Sequence, residues 1–113
     1  MKLPNSGQAQ IAKEKIVDYL LSFSHADGRA KAEFFSRHGF TIVDWQVLVL
    51  ALLNHAKDHE VTRIEVSPFG TRYVIEGIIR TPDGRNPMLR TVWFIELGES
   101  APRLVTAYPR NRR

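Results

Sequence analysis

The sequence predicts an α+β fold in which three N-terminal helices pack on a four-stranded antiparallel sheet, in the order α-α-α-β-β-β-β. Three observations carry that expectation. Apolar residues recur at helical spacing through residues 12–60, they alternate with a period of two from Val61 onward, and turn-forming residues punctuate the second half at short intervals. A run of helices followed by a meander of strands covers one sheet face and leaves the other partly open.

The first helix is expected over residues 12–23, where Ile16, Tyr19, Leu20 and Phe23 share one side. His25-Ala26-Asp27-Gly28 then breaks the pattern. Asp27 is placed to cap a second helix over Arg29–Arg37, and Gly39 can adopt the left-handed conformation that ends it. Thr41 or Asp44 can cap a third helix that repeats Trp45, Leu48, Val49, Leu52, Leu53 and Ala56 along one face. Strands follow over 61–67, 72–80, 88–97 and 103–108, separated by Pro68-Phe69-Gly70-Thr71, by a loop containing Asp83-Gly84, and by residues 98–102. Alternation places Thr91 and Trp93 on one face of the third strand and Arg90, Val92 and Phe94 on the other. The same parity groups Leu104, Thr106 and Tyr108 in the last strand, and Glu76, Ile78 and Arg80 in the second.

At 113 residues, with 43% apolar and 25% charged residues, the chain has the size and balance of one domain. It divides into a helical half (12–60), a sheet half (61–109) and a basic tail (110–113). No stretch of about 18 uninterrupted apolar residues could span a bilayer, and the first residues lack the apolar segment of a secretory signal, so a cytoplasmic protein without membrane contact is expected. The absence of cysteine excludes disulfides, thiolate metal sites and thiol nucleophiles. Phosphate-loop and dinucleotide-binding glycine motifs are absent, and the carboxylates are scattered. His55 and His59 have metal-ligand spacing, but Ala56 stands where a metalloprotease helix carries Glu, so they read as polar residues closing the helix, and His38 reads the same way. No metal or cofactor is expected.

The net charge of +4 lies wholly in residues 61–113, where nine arginines and no lysine face five acids, although Arg110, Arg112 and Arg113 could supply much of it as a solvated tail. If strand register brings them together, Arg90, Thr106, Tyr108 and Glu76 cluster on the open face. Arginine there would neutralise a phosphoryl group, threonine would donate to its oxygens, and tyrosine would stack on a base or exchange a proton. The same residues could equally be ordinary cross-strand pairs. In the break between the first two helices, His25 has the side chain suited to acid–base work at neutral pH. Arg29 and Lys31 lie within a turn of it at a helix N-terminus that favours an anion. The alternative is that His25 closes the turn and the two cations are solvated.

The blocks His25-Ala26-Asp27-Gly28-Arg29-Ala30-Lys31-Ala32, Arg90-Thr91-Val92-Trp93 and Pro102-Arg103-Leu104-Val105-Thr106-Ala107-Tyr108 resemble a bacterial family of small proteins. That family is marked by a leading Leu-Pro-Asn, a His-x-x-Gly-Arg-x-Lys-Ala block and a closing Pro-Arg-Leu-Val-Thr-x-Tyr. The layout is similar to the barnase–EndoU–colicin–RelE group of metal-independent ribonucleases. The resemblance implies a toxin-type endoribonuclease that cleaves RNA through its 2′-hydroxyl and is restrained by a cognate antitoxin or immunity-type protein. By position it makes His25 a general base or acid and Lys31 and Arg90 stabilisers of the phosphorane. Thr106 and Tyr108 become orienting groups, and Arg29 and Arg103 phosphate contacts. The competing expectation is a non-catalytic module whose open sheet face docks a partner protein or nucleic acid.

Overall fold

The computed structural model describes residues 1–110, so Asn111, Arg112 and Arg113 of the expected tail lie outside the described residues. A short helix α1 (Lys13–Lys15) runs directly into a π-helical turn (Ile16–Leu20), followed by α2 (Arg29–Arg37) and α3 (Trp45–Asp58). Strands β1 (Val61–Ser67), β2 (Gly70–Ile78), β3 (Met88–Glu96) and β4 (Arg103–Pro109) then form one antiparallel sheet in chain order. The chain thus adopts the α+β arrangement of three helices before a four-stranded meander.

The first helix departs from the regular one expected over 12–23. A wide turn, closed by Leu21 N–H donating to the Ile16 carbonyl at 2.8 Å, buries Ile16, Leu20 and Leu21 together. The chain has left the helix before Phe23, which is exposed rather than part of the core. Asp27 does not cap α2. His25 instead closes the turn ahead of the helix, its Nδ1 accepting the backbone N–H groups of Asp27 (3.0 Å) and Gly28 (3.1 Å). Thr41 rather than Asp44 supplies the side-chain acceptor before α3, taking the Asp44 N–H at 3.2 Å.

The core lies between the helices and the inner sheet face, where Phe35, Phe40, Leu48 and Leu52 meet Ile75, Leu89 and Trp93. A polar thread through it overturns the expectation that His55 closes a helix end. His55 is 2% exposed, and its Nε2–H is shared between the carbonyls of Gly77 and Leu89, both at 3.1 Å. Its Nδ1 therefore accepts from the Thr91 hydroxyl (3.2 Å), which in turn accepts from the Trp93 indole N–H (3.0 Å). Every donor in that chain has an acceptor, so the neutral imidazole is the form the core holds. Burial first, and the neighbouring His59 charge, push the His55 pKa down to about 4, against the opposing pull of the carbonyl contacts. His38 does close a helix end, donating from Nδ1 to the Phe34 carbonyl at 2.9 Å. No helix among the described residues is long and apolar enough to cross a membrane.

The first helix and α2 meet at Gly28, where a Cβ would collide with the Tyr19 carbonyl oxygen. Gly28→Ala is expected to destabilise the protein by about 1–3 kcal/mol in denaturant titration; a neutral or stabilising effect would show that this contact is not tight. The His55 network predicts a pH effect. Unfolded His55 takes a proton near its ordinary value of 6.5 and folded His55 near 4, so between these values the unfolded state binds more protons. Stability is full above that window and falls by about 3 kcal/mol as pH drops through it. His55→Leu should be less stable at neutral pH yet lose that share of the slope, and equal slopes in the two proteins would refute the assignment.

Candidate functional site

Register decides which side chains share the open face. Glu76 lies opposite Arg90 and Arg90 opposite Tyr108, so one row of direct cross-strand neighbours crosses β2, β3 and β4. Val74, Val92 and Thr106 make the next row, and Arg72, Phe94 and Arg103 the one beyond. The parity expected for β4 fails at one point. A bulge between the Thr106 and Leu104 pairings turns Leu104 into the core while Thr106 and Tyr108 stay on the open face.

The first row is bonded as well as aligned. Arg90 Nε donates to Glu76 Oε2 at 2.6 Å, Arg90 Nη2 pairs with the same oxygen, and Arg90 Nη1 donates to the Tyr108 hydroxyl at 3.4 Å. Arg110, expected in a solvated tail, is half-buried and reaches Glu76 Oε1 from Nε at 2.9 Å. Burial pushes the Glu76 carboxyl up, but the hydrogen bonds and charges of Arg110 and Arg90 outweigh it and hold the group below the usual carboxylate range. Arg63 and Arg72 complete the rim of a shallow depression of about 320 Å³ over this row.

The helical half approaches through Tyr19, a residue the sequence places in the helix core and not in the site. The π-helical turn aims its hydroxyl at Thr106 Oγ1, 2.9 Å away, and its ring packs edge-on against His25 with centroids 5.0 Å apart. Lys31 Nζ sits 5.3 Å from the Tyr19 ring and 6.0 Å from the Tyr108 ring, bridging the two halves over aromatic faces. It also donates to the Asp27 carbonyl at 3.1 Å. A second depression, bordered by Glu14, Asp18, Tyr19, His25 and Thr106, opens beside this contact.

His25, Lys31, Arg90, Thr106 and Tyr108 therefore form one chain of contacts, with Tyr19 as the link. Two other expected residues stand apart. Arg29 is exposed and pairs with Glu33 at 3.6 Å on its own helix. Arg103 lies two rows from Tyr108, roughly 13 Å along the strand, above the Phe94 ring at 5.3 Å and 3.9 Å from Glu96. Among the described residues, no three His, Asp or Glu side chains gather as a metal site requires.

Comparison with known proteins adds a fold relative and a family. A chain of the contact-dependent growth inhibition toxin–immunity protein complex from Klebsiella pneumoniae 342 superposes with a TM-score of 0.73 and 18% identity, over 94% of this chain and 97% of that chain. At that identity the likeness is one of fold. Curated proteins give no sequence match. The family model described as Domain of unknown function (DUF6883) matches residues 2–111, and the chain belongs to that family.

Proposed function

We propose that the protein is a metal-independent endoribonuclease of toxin type, held in check by an immunity-type partner. One observation carries the reading: a carboxylate, two guanidiniums and a phenol are bonded in one group on an open sheet face, with Lys31 leaning over it from the helical half. A phosphodiester offers a guanidinium the same pair of oxygens as a carboxylate. On binding RNA, Arg90 and Arg110 turn from Glu76 to the phosphate, and Lys31 adds its charge. Glu76, stripped of its cationic partners, becomes more basic and takes the proton of the 2′-hydroxyl. The 2′-oxygen bonds to phosphorus as the bond to the 5′-oxygen breaks. Tyr108 protonates the leaving oxygen and recovers its proton from Glu76 through water, leaving a 2′,3′-cyclic phosphate.

The role of His25 is narrower than general base. Its Nδ1 lone pair is engaged by two backbone N–H groups, so Nε2–H is what it offers a ligand, as a hydrogen-bond donor. Thr106, tied to Tyr19, orients a phosphate oxygen. The fold relative fits this reading because it comes from a complex of a toxin and an immunity protein. A second reading, a non-catalytic module that docks a partner protein through the same face, is favoured by the ion pairs that already occupy Arg90 and Arg110.

The test is cleavage of RNA in the presence of a chelator, scored beside an oligonucleotide with 2′-deoxy sugars. Wild-type protein should cut RNA to cyclic-phosphate ends and leave the deoxy strand intact. Glu76→Gln and Arg90→Ala should each lose about 100-fold or more in rate while keeping native circular dichroism. No RNA cleavage by folded wild-type protein at any dose would reject the enzyme and leave the docking module.

A further inference from the structure

The sheet has two edges, and the chain treats them differently. Along β4, Gln10 forms a parallel bridge to Arg103: its N–H donates to the Pro102 carbonyl at 2.8 Å and its carbonyl accepts the Leu104 N–H at 3.1 Å. Farther along, Tyr19 bonds Thr106. The outer edge of β1 is met among the described residues only at its start, where Val61 N–H donates to the Met1 carbonyl at 2.7 Å. From Thr62 to Ser67 the strand has no neighbour beyond it among the described residues. It carries no Lys or Pro, and it exposes Ile64 at 47% and Val66 at 80% on the helix-side face. An edge of this kind is a template for another strand.

Its sequence is complementary to itself. In an antiparallel pairing of two β1 strands centred on Ile64, Arg63 of each copy stands opposite Glu65 of the other and Ile64 opposite Ile64, and the regular pairing ends at the bulge between Val61 and Arg63. Arg63 and Glu65 both lie on the open face and are already poised as an ion pair, Nη2 to Oε2 at 2.8 Å within one chain. Pairing across the axis gives each charge a second partner of opposite sign and covers Ile64.

We propose that the protein forms a two-fold symmetric dimer through β1, joining two four-stranded sheets into one of eight strands. Because the two-fold axis of an antiparallel strand pair is perpendicular to the sheet, both open faces lie on the same side. The two rows of Glu76, Arg90 and Tyr108 then belong to one continuous arginine-lined surface.

Sedimentation velocity and light scattering on the full 12.9 kDa chain test this. Wild-type protein should show about twice the chain mass at sub-millimolar concentration. Ile64→Lys sets two like charges on the axis and should give monomer. Arg63→Glu and Glu65→Arg each create two like-charge contacts and should weaken the dimer about tenfold, whereas the double swap should restore it. These positions are exposed, so thermal melts should show that each variant stays folded. A monomeric wild type, single swaps that leave the mass unchanged, or a double swap as weak as either single swap would overturn the proposal; the first would leave the edge to a strand of another protein.

Discussion

Apolar packing alone lets a helix slide and roll on a sheet, and in this fold a directional contact stops it. His55 projects from α3 between β2 and β3 and bonds a carbonyl of each, while the Thr91 hydroxyl and the Trp93 indole complete the chain. A buried polar network of this kind is costly if any member is missing, and so it fixes one arrangement. Holding Thr91 and Trp93 inward obliges Arg90 and Val92 outward, because neighbouring residues of a strand face opposite ways. The open face is the reverse side of a constraint set in the core.

The candidate site is satisfied without a ligand. Its carboxylate pairs with both guanidiniums, its lysine rests on aromatic rings and a carbonyl, and its histidine Nδ1 is occupied by backbone N–H groups of the turn before α2. Such a surface avoids stranding charge in the free protein. A ligand must exchange partners to bind, and phosphate is suited to that exchange because it matches the geometry it displaces.

Much of the fold was legible in the sequence because period and punctuation are local signals. The bounds of α2 and β1 agree with the alternation and turn residues that mark them. The first helix was not, because a π-helical turn answers to the joint burial of Leu20 and Leu21, which is a tertiary demand. Within the site, Arg90, Thr106 and Tyr108 could be named from residue type and parity. Tyr19 could not, since a tyrosine among helical apolar positions reads as core until the facing Thr106 is seen. Arg110 looked like tail for a related reason: only the register that brings Glu76 beneath it shows that it belongs to the sheet. His55 misled because a histidine near a helix end carries the same sequence signal whether it faces water or carbonyls.

The bulge in β4 has an evolutionary reading. Leu104 and Thr106 have the same parity yet face opposite sides of the sheet, so the outward aim of Thr106 and Tyr108 is encoded by the count of residues in the strand as much as by their identity. Point substitution leaves that count alone. Loss of the extra residue, Val105, would restore regular pairing and leave both hydroxyl groups on the open face, whereas loss of Ala107 would set Thr106 and Tyr108 on opposite faces. Selection for the open-face chemistry would therefore act on this strand as a reading frame, tolerant of loss at the bulge and intolerant of insertion or deletion between Thr106 and Tyr108.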